Sequence, residues 1–181
     1  PPPISTLLPS TTLFRSGAAQ VLEGPQGMGV AMSVDANPAH LTDGLGSRWA
    51  TAETSFKHHA SCRHTHPAAD ALLHVMRSHD LQPSDLAEVV ALVHQSAIDV
   101  LDPVLPPTTV GQAKFSIGTV LALVAQFGHA GLDEFDRYFL SPETQALRDK
   151  VRMAFDADVD AAYPRRWIGK VVVRTDRKSV V

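Results

Sequence analysis

The chain has 181 residues, a formal net charge of −3, and a single cysteine. Its basic residues are dispersed, which argues against a nucleic-acid surface. No apolar run approaches the roughly 20 residues of a membrane span, and one cysteine excludes an internal disulfide and fits a reducing compartment. With 44% apolar and 19% charged residues the composition is that of an ordinary globular domain, expected in the cytoplasm.

Both ends read as foreign. Thr11-Thr12-Leu13-Phe14-Arg15-Ser16 can be encoded by the end of a common short-read sequencing adapter. Asp176-Arg177-Lys178-Ser179-Val180-Val181 can be encoded by the reverse complement of the same DNA. Residues 1–16 and 176–181 are therefore expected to be adapter-derived and are set aside. What lies between is expected to be a gene fragment, open at both ends.

Residues 18–24 and 27–32 read as short helical pieces separated by Pro25. Asn37-Pro38 opens another through Leu41, and Gly44 and Gly46 end it. Residues 52–56 read as a short strand. The stretch Phe56-Lys57-His58-His59-Ala60-Ser61-Cys62-Arg63-His64-Thr65-His66-Pro67 follows, with four of the nine histidines, the cysteine, a lysine and an arginine. Beyond it Ala68, Ala71, Leu72, Val75 and Met76 have the spacing of one helical face. Pro67 suits the first turn, and Thr65 stands where a cap would. A cationic loop feeding a helix N-terminus gathers positive side chains and free N–H groups, which suits a carboxylate or phosphate.

The helix is expected to end near residue 79. Residues 88–94 are β-rich and read as a buried strand. Asp102-Pro103 and Pro106-Pro107 mark a long loop. Residues 111–127 form the strongest expected helix, apolar nearly all round and therefore buried. Gly118 inside it implies close packing. Gly128 and Gly131 end it. Ser141-Pro142-Glu143 caps a helix expected to run to Val151. Residues 151–155 read as a strand, 158–162 as a helical turn, and 167–175 as a last strand. Strands scattered among helices without βαβ spacing argue for an α+β fold.

Three chemistries suggest themselves from the residues. Lys57, Arg63 and His66 could clamp a carboxylate. His58, His59, Cys62, His64 and His66 could ligate zinc, but structural zinc sites usually pair two separated clusters and only one is present. Cys62 could be a nucleophile with His59 or His66 as base, but nothing else marks an acyl-transfer site. Lys114, with Ser116 and Thr119, stands at the positive end of the buried helix, where a lysine calls for an anion. The run from Tyr163 to Trp167 reads as a domain-edge turn with solvated arginines.

Four motifs, in order, resemble the MmgE/PrpD family, which includes 2-methylcitrate dehydratases and cis-aconitate decarboxylases. The first is Phe56-Lys57, then Cys62-Arg63, then Thr65-His66-Pro67-Ala68, Asp70 and Ala71. The others are Ala113-Lys114-Phe115-Ser116, Gly131-Leu132-Asp133, and Asp160-Ala161-Ala162-Tyr163-Pro164-Arg165-Arg166-Trp167. The likeness covers roughly residues 17–175. It implies a lid-type domain over residues 51–175, with a short antiparallel or mixed sheet packed with helices. It also implies that residues 17–50 are the remnant of a larger all-α domain.

The activity implied is that of a cofactor-independent lyase, a dehydratase or decarboxylase, acting on a di- or tricarboxylate such as 2-methylcitrate. The full-length parent is expected to be a homodimer. The resemblance nominates Lys57, Cys62, Arg63, His66, Lys114 and Thr119 as substrate-binding, and no metal. Family members often carry a tyrosine where Thr119 stands; threonine keeps the hydroxyl but loses reach and acidity. Much of the family's acid/base set resembles residues of the helical domain, so this chain alone is expected to be inactive. An organic-acid-binding or dimerisation module is the alternative, and a zinc-binding domain a third.

Overall fold

The computed structural model describes residues 20–101, 106–175 and 179–180, and the chain divides into two units, Pro1–Ser55 and Phe56–Val181. The first unit holds α1 (Met28–Met32) and two 3₁₀ turns, Pro38–Leu41 and Ala50–Glu53. Asn37 caps the first of these turns by accepting the Ala39 N–H at 3.1 Å, and Gly44 and Gly46 follow with φ of 66° and 82°, as expected. The strand expected at 52–56 does not form. Ala50–Glu53 is a 3₁₀ turn, and Phe56 beyond it is 87% exposed, with no strand paired to it among the described residues.

In the second unit the elements are α2 (His66–Ser78), β1 (Leu86–Val93), α3 (Gln95–Leu101), α4 (Val110–Ala113), α5 (Ile117–Phe127), α6 (Leu132–Tyr138), α7 (Pro142–Arg148), β2 (Val151–Phe155), α8 (Ala157–Ala162), β3 (Lys170–Thr175) and β4 (Ser179–Val180). The sheet is mixed, in the order β2-β1-β3-β4. β1 runs parallel to β2, with Val89 opposite Val151, and antiparallel to β3, with Ala91 opposite Val171. The fold is therefore α+β, with helices packed on a short mixed sheet.

Strand periodicity sets the core face. Val89, Ala91 and Val93 alternate inward on β1 and meet Val171 and Val173 of β3. The other face of β1 carries Glu88. Its carboxylate accepts from Arg152 of β2 at 2.6 Å and pairs with Arg174 of β3 at 3.0 Å. Those two guanidiniums, Arg152 first, hold Glu88 below the usual carboxylate range.

Over the inward face lie α2, through Ala68, Leu72 and Val75, and α5, in which every residue from Ile117 to Ala125 is buried. The helix expected across 111–127 is in fact two. The chain leaves helical geometry at Ser116 (φ −86°, ψ 108°), whose Oγ accepts the Thr119 N–H and starts α5 afresh. The apolar run hid this cap, because burial and helicity share the same pattern there. Gly128 closes α5 in the left-handed conformation (φ 77°). A Cβ on Gly118 would stand 2.8 Å from Arg148 Cγ, so α5 and α7 do approach closely there. α7 stops at Arg148, short of the expected Val151, which instead opens β2.

Candidate functional site

The loop from Phe56 to Thr65 is pinned from below by His59, a fully buried imidazole. The Ala130 N–H donates to its Nδ1 at 3.2 Å, so its proton sits on Nε2 and points to the Asp70 carboxylate at 3.4 Å. The backbone repeats the link, with Ala60 N–H donating to Ala130 C=O at 2.8 Å. Burial pushes His59 below the ordinary histidine value, against the opposing pull of Asp70. Its neutral ring thus joins the loop to the first turn of α2 and to the segment ahead of α6.

The rest of the loop is tied by its own polar groups. Thr65 does not cap α2. Its hydroxyl donates to the Cys62 carbonyl at 2.8 Å and meets Ser61 Oγ at 2.9 Å, which closes the 3₁₀ turn Arg63–Thr65 instead. The Cys62 N–H donates to the Lys114 carbonyl at 2.8 Å, bringing the loop against the break between α4 and α5. Lys57 Nζ donates to Ser61 C=O, and Arg63 Nη1 to Phe56 C=O.

The nominated residues are placed as follows. Lys57 is exposed at the rim of the loop, and Cys62 is half-buried beside Lys114. Arg63 is half-buried, its guanidinium 5.7 Å from the centre of the Trp167 ring. His66 lies at the start of α2 and is turned inward, 7% exposed, its ring 5.1 Å from that of His59. Burial, then the neighbouring His59, pushes His66 below the ordinary range, and its Nε2 is buried without a hydrogen-bond partner. Lys114 Nζ lies 5.8 Å from the Phe135 ring. Thr119 is fully buried and spends its hydroxyl on Ser116 Oγ at 3.0 Å.

Four stretches far apart in sequence thus meet. Residues 57–66 touch 113–116 through Cys62 and Lys114, and touch 130–135 through His59 and Ala130. They touch 163–167 through Arg63 and His64, the latter ring 5.3 Å from Trp167 and 5.9 Å from Tyr163. The Tyr163–Trp167 stretch, expected to be a solvated turn, keeps Arg165 and Arg166 exposed but turns its aromatic rings onto the histidine loop. The histidines fall into two groups, His58, His59 and His66 in one and His64 with His94 in the other. His59 pairs with Asp70 while His64 turns to His94, and among the described residues no group of three or more His, Cys, Asp or Glu could hold a metal ion. Sequence reasoning missed His94. Its only signal was its place directly after the last residue of the central strand.

A small α+β domain thus brings cationic and imidazole side chains together at the start of one helix. A model of the MmgE/PrpD C-terminal domain matches residues 59–181. The chain belongs to the MmgE/PrpD family, and the matched segment is that family's C-terminal domain. The match runs through Val181 and so includes residues 176–181, for which an adapter origin was expected. The family includes hydro-lyases. No curated protein matches the chain. No helix among the described residues is long and apolar enough to cross a membrane.

Proposed function

We propose that this chain is part of a cofactor-independent lyase that dehydrates or decarboxylates a di- or tricarboxylate such as 2-methylcitrate, and that it supplies carboxylate clamps rather than the acid and base. The observation that carries this reading is the meeting of the four family motifs around one cationic loop. Lys57 and Arg63 stand on that loop ahead of α2, where they can offer a carboxylate charge-assisted hydrogen bonds. His66 adds a buried ring nitrogen with no protein partner. Thr119 is enclosed and spends its hydroxyl on Ser116, so it lacks the reach that a tyrosine would have there.

Calorimetry on the 181-residue chain with citrate and 2-methylcitrate tests the clamp. Binding should weaken about tenfold in Lys57→Ala and in Arg63→Ala, the loss of about 1.4 kcal/mol each. Unchanged affinity in both variants would remove the site from this loop. Turnover of 2-methylcitrate by the chain alone at an ordinary enzymatic rate, on the order of 1 per second or more, would overturn the assignment of acid and base elsewhere.

A second reading, assembly, is favoured by one observation. Phe127 and Tyr138 stack at 4.7 Å yet both remain exposed, as do Leu132 and Leu140. Apolar surface of this kind marks association faces. Sedimentation of the chain should show a dimer that Tyr138→Lys dissociates.

A further inference from the structure

We propose that His64 and His94 form an acid-opened latch fastening the Arg63–Thr65 turn to the end of β1. The proposal needs no ligand at the loop and stands whether or not the lyase reading holds.

The hydrogen bonds fix both tautomers. His94 follows the last residue of β1 and is 6% exposed. The Ala97 N–H donates to its Nδ1 at 3.2 Å, so its proton is on Nε2. That Nε2 lies 3.2 Å from His64 Nδ1, which must accept. His64 therefore carries its proton on Nε2. The chain of donors runs one way, from the start of α3, through β1's end, to the turn before α2.

Aromatic rings flank the pair, whose own rings meet at 60°. Tyr163 stacks on His94 at 3.9 Å and 10°, and Trp167 meets His94 edge-on at 6.0 Å. Trp167 also lies 5.3 Å from His64 and carries the Arg63 guanidinium, so the turn, the aromatic pair and β1 form one packed unit.

A proton has no free lone pair to take. On His64 Nδ1 it would face the His94 N–H; on His94 Nδ1 it would face the Ala97 N–H. Either way one bond of the chain breaks. Charges of both signs lie near the pair. Arg63 lies beside His64 in sequence, and Arg166 lines the same small cavity as both rings. Asp160, whose carboxylate accepts the Gln95 N–H at 2.9 Å, is the opposing anion. The α2 side offers Pro67 and Ala68, the sheet Leu92 and Val93, and the far side Val159 and Ile168, all uncharged. On α3, Asp99 is engaged by the Gln95 side chain. Burial lowers the affinity of both rings for a proton, and His94 lowers that of His64 further. Acidification therefore releases the Arg63–Thr65 turn from Tyr163 and Trp167.

Long-range ¹⁵N–¹H spectra of the imidazoles in the 181-residue chain test the tautomers. At about pH 8 both rings should be Nε2–H, and both should take protons only below the ordinary value of about 6.5. In a Trp49→Phe background, which leaves Trp167 as the only tryptophan, indole emission should change between about pH 8 and about pH 5, where unperturbed histidines titrate. His64→Gln keeps an acceptor for His94 but cannot be protonated; it should reduce that change at least about twofold, since one of two titrating rings is removed. An Nδ1–H tautomer on either ring, a flat Trp167 signal, or an equal acid response in His64→Gln would each overturn the latch.

Discussion

The two units of the chain both carry many apolar residues but use them in opposite ways. In the first unit Val21, Leu22, Met28, Val30, Met32, Leu41, Leu45 and Trp49 are all exposed, and only Gly24 and Gly27 are buried among its described residues. In the second, α2, α5 and the sheet enclose a continuous core in which Leu72, Leu121, Leu123 and Phe135 are at most 1% exposed. Capped turns and helices form in both. Asn37 caps its turn as well as Ser116 caps α5. Local signals therefore suffice to bend the chain, but only opposed apolar faces make a core, because most helical stability comes from packing rather than propensity.

The strongest way to break this contrast is at α5. Leu121→Ala should cost about 2–5 kcal/mol, a large share of a total of about 5–15, read as the denaturant midpoint. Deleting residues 17–47 should lower that midpoint little and improve solubility. If the deletion collapses the fold while Leu121→Ala is tolerated, the two units have been assigned in reverse.

Gly169→Ala comes next. A Cβ there would run into the Pro67 carbonyl and crowd Ala71, forcing the start of β3 away from α2. The expected loss is about 1–3 kcal/mol, by the same measurement.

Acid should act on the second unit through four of its histidines. His59, His64, His66 and His94 are all held below their ordinary value, chiefly by burial. The unfolded chain then binds more protons than the folded one as pH falls through about 6.5. Their stabilising contribution is full above that value and is lost as pH drops toward the lowered folded values. Thermal melts should move down on acidification from about pH 7 to about pH 5, and His59→Asn should flatten part of the slope.

The smallest effect sharpens the other side of the comparison. Met32, 75% exposed, should tolerate Met32→Ser within about 0.5 kcal/mol in the same melts.

How much was legible in the sequence follows the same division. β1 and β3 were readable because β-branched runs stand between turn residues, and α2 because Ala68 to Met76 keep one face. The break at Ser116 was not readable from periodicity, since a buried segment is apolar on both sides of its cap. Lys57, Arg63 and His66 were readable as one loop, but not the inward turn of His66. His94 was invisible because its partners, His64 and Tyr163, lie 30 or more residues away and only the sheet brings them together. The strand expected at 52–56 failed for the opposite reason. A strand needs a neighbour, and no local pattern can supply one.

The pairing of β1 sets a timetable for synthesis. Its nearest partner in sequence is β2, with Val89 opposite Val151, and its other neighbour is β3, with Val90 opposite Val172. At about 5–20 residues per second, a ribosome leaves β1 without either neighbour for about 3–12 seconds. Throughout that time the apolar run Leu86–Val93 presents two open edges to other nascent chains. A chaperone that occupies this strand early in synthesis would raise the yield of folded protein without touching the stability of the finished fold.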